Sequence, residues 1–129
     1  IANDILKEGM DEGAYSRTPV AAAHEMNKMF RDTVRLLPRI TAPVQVYRST
    51  VDHVVSGSSV ALLRRGLTHA PLEVVELRNS YHVATLDNDA EQIFQGSVDF
   101  IRHVLPGGAA RAAPGSPAPA GRAGRQEQA

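Results

Sequence analysis

Two short blocks hold the residues best suited to chemistry. The first, Pro43-Val44-Gln45-Val46-Tyr47-Arg48-Ser49-Thr50-Val51-Asp52, ends in an acid, and the second, Leu72-Glu73-Val74-Val75-Glu76-Leu77-Arg78-Asn79-Ser80-Tyr81-His82, ends in a histidine. Each is an apolar β-run that stops and delivers one titratable side chain just past the strand end, where open α/β sheets gather their functional groups. A carboxylate that accepts one ring N–H of a histidine fixes its tautomer, leaving the other ring nitrogen to move a proton for a nucleophile. Asp52 and His82 are therefore the candidate acid and base. Each also has a plainer reading, Asp52 as the cap of a turn between Thr50 and Val55 and His82 as a partly exposed loop histidine.

Other polar residues carry weaker signals. His53 adjoins the acid, but neighbouring residues at a strand end point apart, so it is expected at the rim or facing solvent. His24, His69 and His103 fall on expected helices or helix ends, and no pair has the i, i+4 spacing of a helical metal site. The string Gly57-Ser58-Ser59-Val60-Ala61 imitates a nucleophile elbow. An elbow needs a strand running straight into the turn, whereas here the loop from Thr50 to Val55 intervenes, so a helix start is expected instead. Tyr15 and Tyr81 are candidates either for bordering a substrate pocket or for packing.

The elements that must position Asp52 and His82 can be read from periodicity. Residues 1–18 are polar, with a weak helical run from Asp4 to Met10. Thr18-Pro19 predicts a helix start, because Thr is a good N-cap and Pro suits the first helical position. Val20, Ala23, Asn27, Phe30, Val34 and Leu37 then recur at helical spacing, Met26 and Met29 widen the face, and Pro38 stops the helix. Pro43 to Arg48 reads as a buried strand and Leu72 to Leu77 as a second. Between them, Ser56 to Gly66 reads as a helix capped by Ser56 or Ser58. Asn88 to Leu105 reads as a last helix, with Asn88 and Glu91 offering a capping box. Strand, helix, strand in this compass is a βαβ unit, hence two parallel strands and an α/β fold class. Parallel sheets are covered by helices on both faces, so two strands alone call for neighbours that these residues do not supply.

Composition narrows the classes of function. The 129 residues carry 14 Lys and Arg against 14 Asp and Glu, a net charge of zero with histidines neutral, so neither nucleic acid nor an anionic membrane is expected as a partner. The absence of cysteine excludes a disulfide framework, a cysteine nucleophile and a thiolate metal site. No apolar stretch approaches the ~20 residues of a membrane span and no signal peptide opens the chain, so a cytoplasmic protein without stable membrane insertion is expected. From Pro106 to Ala129 there is no Leu, Ile, Val or aromatic residue. Residues 106–129 are thus expected to form a disordered Ala/Pro/Gly/Arg-rich tail.

The segments Ile40 to Val55 and Asn79-Ser80-Tyr81-His82-Val83-Ala84-Thr85-Leu86-Asp87 together resemble the C-terminal part of bacterial carboxylesterases, small α/β-hydrolases close to the monoacylglycerol lipases. The likeness runs from about Asp4 to Leu105, and the Ser-x-His-x-x-Thr-Leu-Asp stretch is its most specific part. It implies that residues 1–105 are a partial α/β-hydrolase domain. Residues 1–37 would be the end of a small helical cap with its connecting helix, and residues 38–105 the last two core strands and their helices. It further implies that Asp52 is the triad acid and His82 the triad base in hydrolysis of an acyl ester or monoacylglycerol, with no metal or organic cofactor. The family's serine lies in a Gly-x-Ser-x-Gly elbow before the acid, so the nucleophile is expected upstream of this chain, which begins at Ile1 rather than Met. The full-length protein would then be an enzyme and this chain alone inactive. Two alternatives stay open: another α/β-hydrolase chemistry, such as a peptidase or C–C hydrolase, and a non-catalytic remnant or interaction module.

Overall fold

A computed structural model of the protein describes residues 3–15, Arg17 and residues 19–105. The tail expected over 106–129 and the N-cap expected at Thr18 lie outside the described residues. The helix α1 runs Val20–Leu36, and a 3-10 turn at Leu37–Arg39 follows it. Then come the strand β1 (Val44–Ser49), the helix α2 (Ser58–Gly66), the strand β2 (Leu72–Leu77), a 3-10 turn at Ala84–Leu86 and the helix α3 (Ala90–Val104).

The two strands pair in parallel, in register from Val44 opposite Leu72 to Ser49 opposite Leu77. Their C-terminal ends therefore lie side by side, and whatever follows each strand is delivered to the same edge. Two further bonds fasten the ladder. Val44 N–H donates to the Pro71 carbonyl at 2.9 Å, and Thr50 N–H donates to that of Leu77 at 2.9 Å. Side chains alternate between the sheet's faces. Val46 shares a cavity wall with Val60 and Leu63 of α2, while Tyr47 packs its hydroxyl against Gly96 of α3. The sheet thus has a helix on each face, as parallel strands require.

Several local expectations are corrected. No helix forms over Asp4 to Met10; Gly9 and Gly13 take positive φ (78° and 65°) and turn the segment instead. Pro19 precedes α1 in an extended conformation, φ −62° and ψ 130°, with its carbonyl accepting Ala23 N–H, and so occupies the cap rather than the first helical position. Helix α2 starts at Ser58, and the Ser56 hydroxyl accepts Ser58 N–H at 3.3 Å. The capping box at α3 is not formed. Asn88 donates to the Asn79 carbonyl, Glu91 accepts from Gln95, and the helix begins at Ala90. Strand β1 is half-buried rather than buried, because one of its edges carries no neighbour among the described residues.

The core is small. Leu37, Leu67, Leu77 and Ile93 are the buried apolar residues among those described. The apolar stripe of α1, by contrast, stays open: Val20 is 86% exposed and Phe30 51%, and no residue of the helix is buried. Among the described residues no helix is long and apolar enough to cross a membrane.

Candidate active site

The parallel register brings the loop after β1 and the loop after β2 together, and with them Asp52 and His82. His82 Nδ1 lies 3.2 Å from Asp52 Oδ2, within reach of a hydrogen bond although long for a charge-assisted one. The other carboxylate oxygen, Oδ1, accepts the N–H groups of Val54 at 2.9 Å and Val55 at 2.8 Å. Asp52 therefore caps its own turn and pairs with the histidine at the same time, so the two readings of this residue are compatible. Burial acts to raise the Asp52 carboxyl. The backbone bonds from Val55 and Val54, together with the bond and charge of His82, outweigh it and hold the group below its ordinary value of 3.8. An ionised Asp52 at neutral pH is what acceptance of a ring N–H requires.

His82 is the more accessible partner, its side chain 35% exposed against 11% for Asp52. Among the described residues it borders three open cavities. The largest, about 420 Å³, is also lined by Tyr15, Arg17, Pro19 and Val54. A second, about 230 Å³, is lined by Asp52, Val46, Val60 and Ser59, and a third, about 390 Å³, by Tyr47, Ala84 and Ile93. Ser59, the serine of the elbow-like string, lies in the first turn of α2 and makes no hydrogen bond to His82. That is a helix start, not a strained strand-to-helix tip.

The histidine loop is held by buried polar groups. The Ser49 hydroxyl, at the end of β1, donates to the Tyr81 carbonyl at 2.6 Å. The Ser80 hydroxyl donates to Asp89 at 3.0 Å and accepts Asp89 N–H at 2.9 Å, while Asp89 also accepts Asn79 N–H. Asp87, 2% exposed, accepts four backbone N–H groups, from Leu6, Lys7, Tyr81 and Asn88, at 2.7 to 2.9 Å. Burial raises its carboxyl, and these four bonds overcome that to leave it lowered. The Ser and Asp of the Ser-x-His-x-x-Thr-Leu-Asp stretch thus serve as supports on either side of the histidine.

One residue of the site has no signal in the sequence beyond its carboxylate. Asp4, buried in the segment read as a weak helix, accepts His53 Nδ1–H at 2.7 Å on Oδ1, and the N–H groups of His53 (3.3 Å) and His82 (3.1 Å) on Oδ2. Burial raises its carboxyl, but these bonds and the charge of His53 bring it below 3.8. His53 is exposed, as expected of a rim residue, yet its ring is bound to Asp4 and stands edge-on to Tyr81 with centroids 4.8 Å apart. Tyr81 accordingly packs, whereas Tyr15, 90% exposed, lines the largest cavity.

No protein-family model matches the chain. It is 36% identical over 101 residues to the thermostable monoacylglycerol lipase of Bacillus sp. (strain H-257), a match covering 78% of this chain and 40% of that enzyme. A solved structure reported for LipS and LipT, two metagenome-derived lipolytic enzymes, superposes with a TM-score of 0.74 at 41% identity, over 80% of this chain and 42% of that one. The chain spans about two-fifths of the length of the relatives it matches. With its two parallel strands and flanking helices, it is homologous to part of the lipolytic enzymes of α/β-hydrolase type.

Proposed function

We propose that the protein is a carboxylic ester hydrolase of the carboxylesterase or monoacylglycerol lipase kind, with Asp52 and His82 as two members of a Ser-Asp-His triad. The observation that carries this reading is the bond between His82 Nδ1 and Asp52 Oδ2 at the shared end of two parallel strands, in a chain whose relatives are lipolytic. The third member is a serine from outside these residues. His82 takes the proton of that serine as its oxygen attacks the ester carbonyl, then gives it to the leaving alcohol. Water repeats the sequence on the acyl-enzyme. Asp52 holds the ring in the tautomer that leaves the far nitrogen free to accept, and stabilises the imidazolium that forms. Acyl esters or monoacylglycerols are the substrate class.

The test is hydrolysis of a series of p-nitrophenyl acyl esters by the longest natural form of the protein. Asp52→Asn should lower turnover about 10⁴-fold and His82→Ala about 10⁶-fold, whereas Ser59→Ala should leave it unchanged. Activity that survives either triad substitution, or vanishes with Ser59→Ala, refutes the assignment.

A further inference from the structure

The acid and the base of the proposed pair stand on separate loops, and one oxygen atom joins the backbones of both. Asp4 Oδ2 accepts the N–H of His53, the residue that follows the acid, and the N–H of His82, the base itself. The same residue holds the two loops in two more places. Its Oδ1 accepts the His53 ring N–H, and that ring stands edge-on to Tyr81, the neighbour of His82. Its backbone carbonyl accepts Val83 N–H at 3.2 Å, on the other side of the base. Asp4 is in turn fixed from behind, because Leu6 and Lys7 donate their N–H groups to the buried Asp87, which also accepts Tyr81 N–H.

We propose that Asp4 is a positioning residue for the Asp52 and His82 pair, a carboxylate clamp that sets how closely the acid loop and the base loop approach. It touches neither reacting atom. Its effect on rate is through alignment, since displacing a catalytic base by about 1 Å costs up to about 100-fold in turnover. The role as a rate-setting residue rests on the ester-hydrolase reading, while the clamp itself does not.

The experiment is made on the longest natural form of the protein, with Asp4→Ala and Asp4→Asn. kcat per folded molecule and KM are measured on a p-nitrophenyl acyl ester, and hydrogen exchange is measured at the amides of His53 and His82. Asp4→Ala should lower kcat about 10- to 100-fold with KM held within about two-fold, and both amides should exchange faster. Asp4→Asn, whose side-chain oxygen can occupy the place of Oδ2, should keep both amides protected and recover most of the lost kcat. A merely structural Asp4 would lower the folded fraction and leave kcat per folded molecule unchanged, which overturns the proposal. Unaltered exchange at both amides in Asp4→Ala overturns it too. Should Asp4→Ala not fold, Asp4→Asn decides: a folded variant with lost kcat, or wild-type amides that exchange as freely as exposed ones, refutes the clamp. A wild-type protein that hydrolyses no ester would refute the hydrolase reading, and the exchange data would still decide the clamp.

Discussion

Buried carboxylates that collect backbone N–H groups govern this molecule at the scale of single residues. Asp87 is the strongest case, because its carboxylate is the acceptor for four N–H groups from two distant segments. Asp87→Ala would leave those donors unpaired in a site closed to water, and the expected loss is about 3 kcal/mol or more of stability, read from urea unfolding. A cost under about 1 kcal/mol would show that water replaces the carboxylate easily. The carboxyls of Asp4, Asp52 and Asp87 all lie below 3.8 in the folded protein, which sets the sign of a pH dependence. A depressed carboxyl contributes stability that is full above 3.8, shrinks as the pH falls from 3.8 through the folded value, and is gone below both. The stability gap between wild type and Asp87→Asn should accordingly be flat between about pH 5 and 7 and narrow only below 3.8. A gap that narrows in the neutral range would place its origin elsewhere.

Close backbone approach decides how the helices sit at the scale of elements. A Cβ at Gly96 of α3 would collide with the Tyr47 hydroxyl, and that hydroxyl is buried without a hydrogen-bond partner among the described residues. Glycine at this position thus leaves room for the Tyr47 hydroxyl between α3 and the sheet. Alanine would gain about 1 kcal/mol of helix propensity at this position but overpack the contact by about 1–3 kcal/mol. Tyr47→Phe removes the clashing oxygen and a desolvated hydroxyl together, so it should be neutral or stabilising by about 1 kcal/mol. The pair should couple: Gly96→Ala should destabilise in the Tyr47 background and be harmless or favourable beside Phe, as a double-mutant cycle would measure. Additive effects would mean that the ring moves aside freely. The same device operates at Gly66, where a Cβ would come within 2.8 Å of the Leu37 Cβ, seating the end of α2 on the turn after α1.

Unfinished burial dominates at the scale of the whole molecule. Four apolar residues are buried among those described, while the faces of α1 and α3 leave Met29, Phe30, Phe94 and Ile101 about half exposed. A parallel strand pair with both outer edges unpaired among the described residues, together with uncovered helix stripes, is a template for association. The polypeptide of these 129 residues by itself is expected to self-associate, with sedimentation velocity showing species larger than a monomer. A monomer with a single cooperative thermal transition would show that the small core and its polar clamps suffice. The homologous lipolytic enzymes are more than twice as long as the matched stretch, in keeping with a fold whose sheet and helices have further neighbours.

The order and kind of the main elements are legible in the amino-acid order alone. The runs Pro43 to Arg48 and Leu72 to Leu77 read as strands and the stripe from Val20 to Leu37 as a helix, because side-chain periodicity is a local property. The sequence also marked Asp52 and His82 as candidates, since each lies shortly past the end of a strand-like run. What holds them emerges only once the chain has folded. Asp4 lies 48 residues from Asp52 and 78 from His82, with a separation of 78 printed in no local pattern; its bonds exist because a turning segment, not a helix, carries it to the loop ends. The cap of α3 went the same way. Asn88 and Asp89 gave up capping their helix to bond back to Asn79 and Ser80, a choice set by which donors the folded loop leaves unpaired, and that is invisible until the loop is closed.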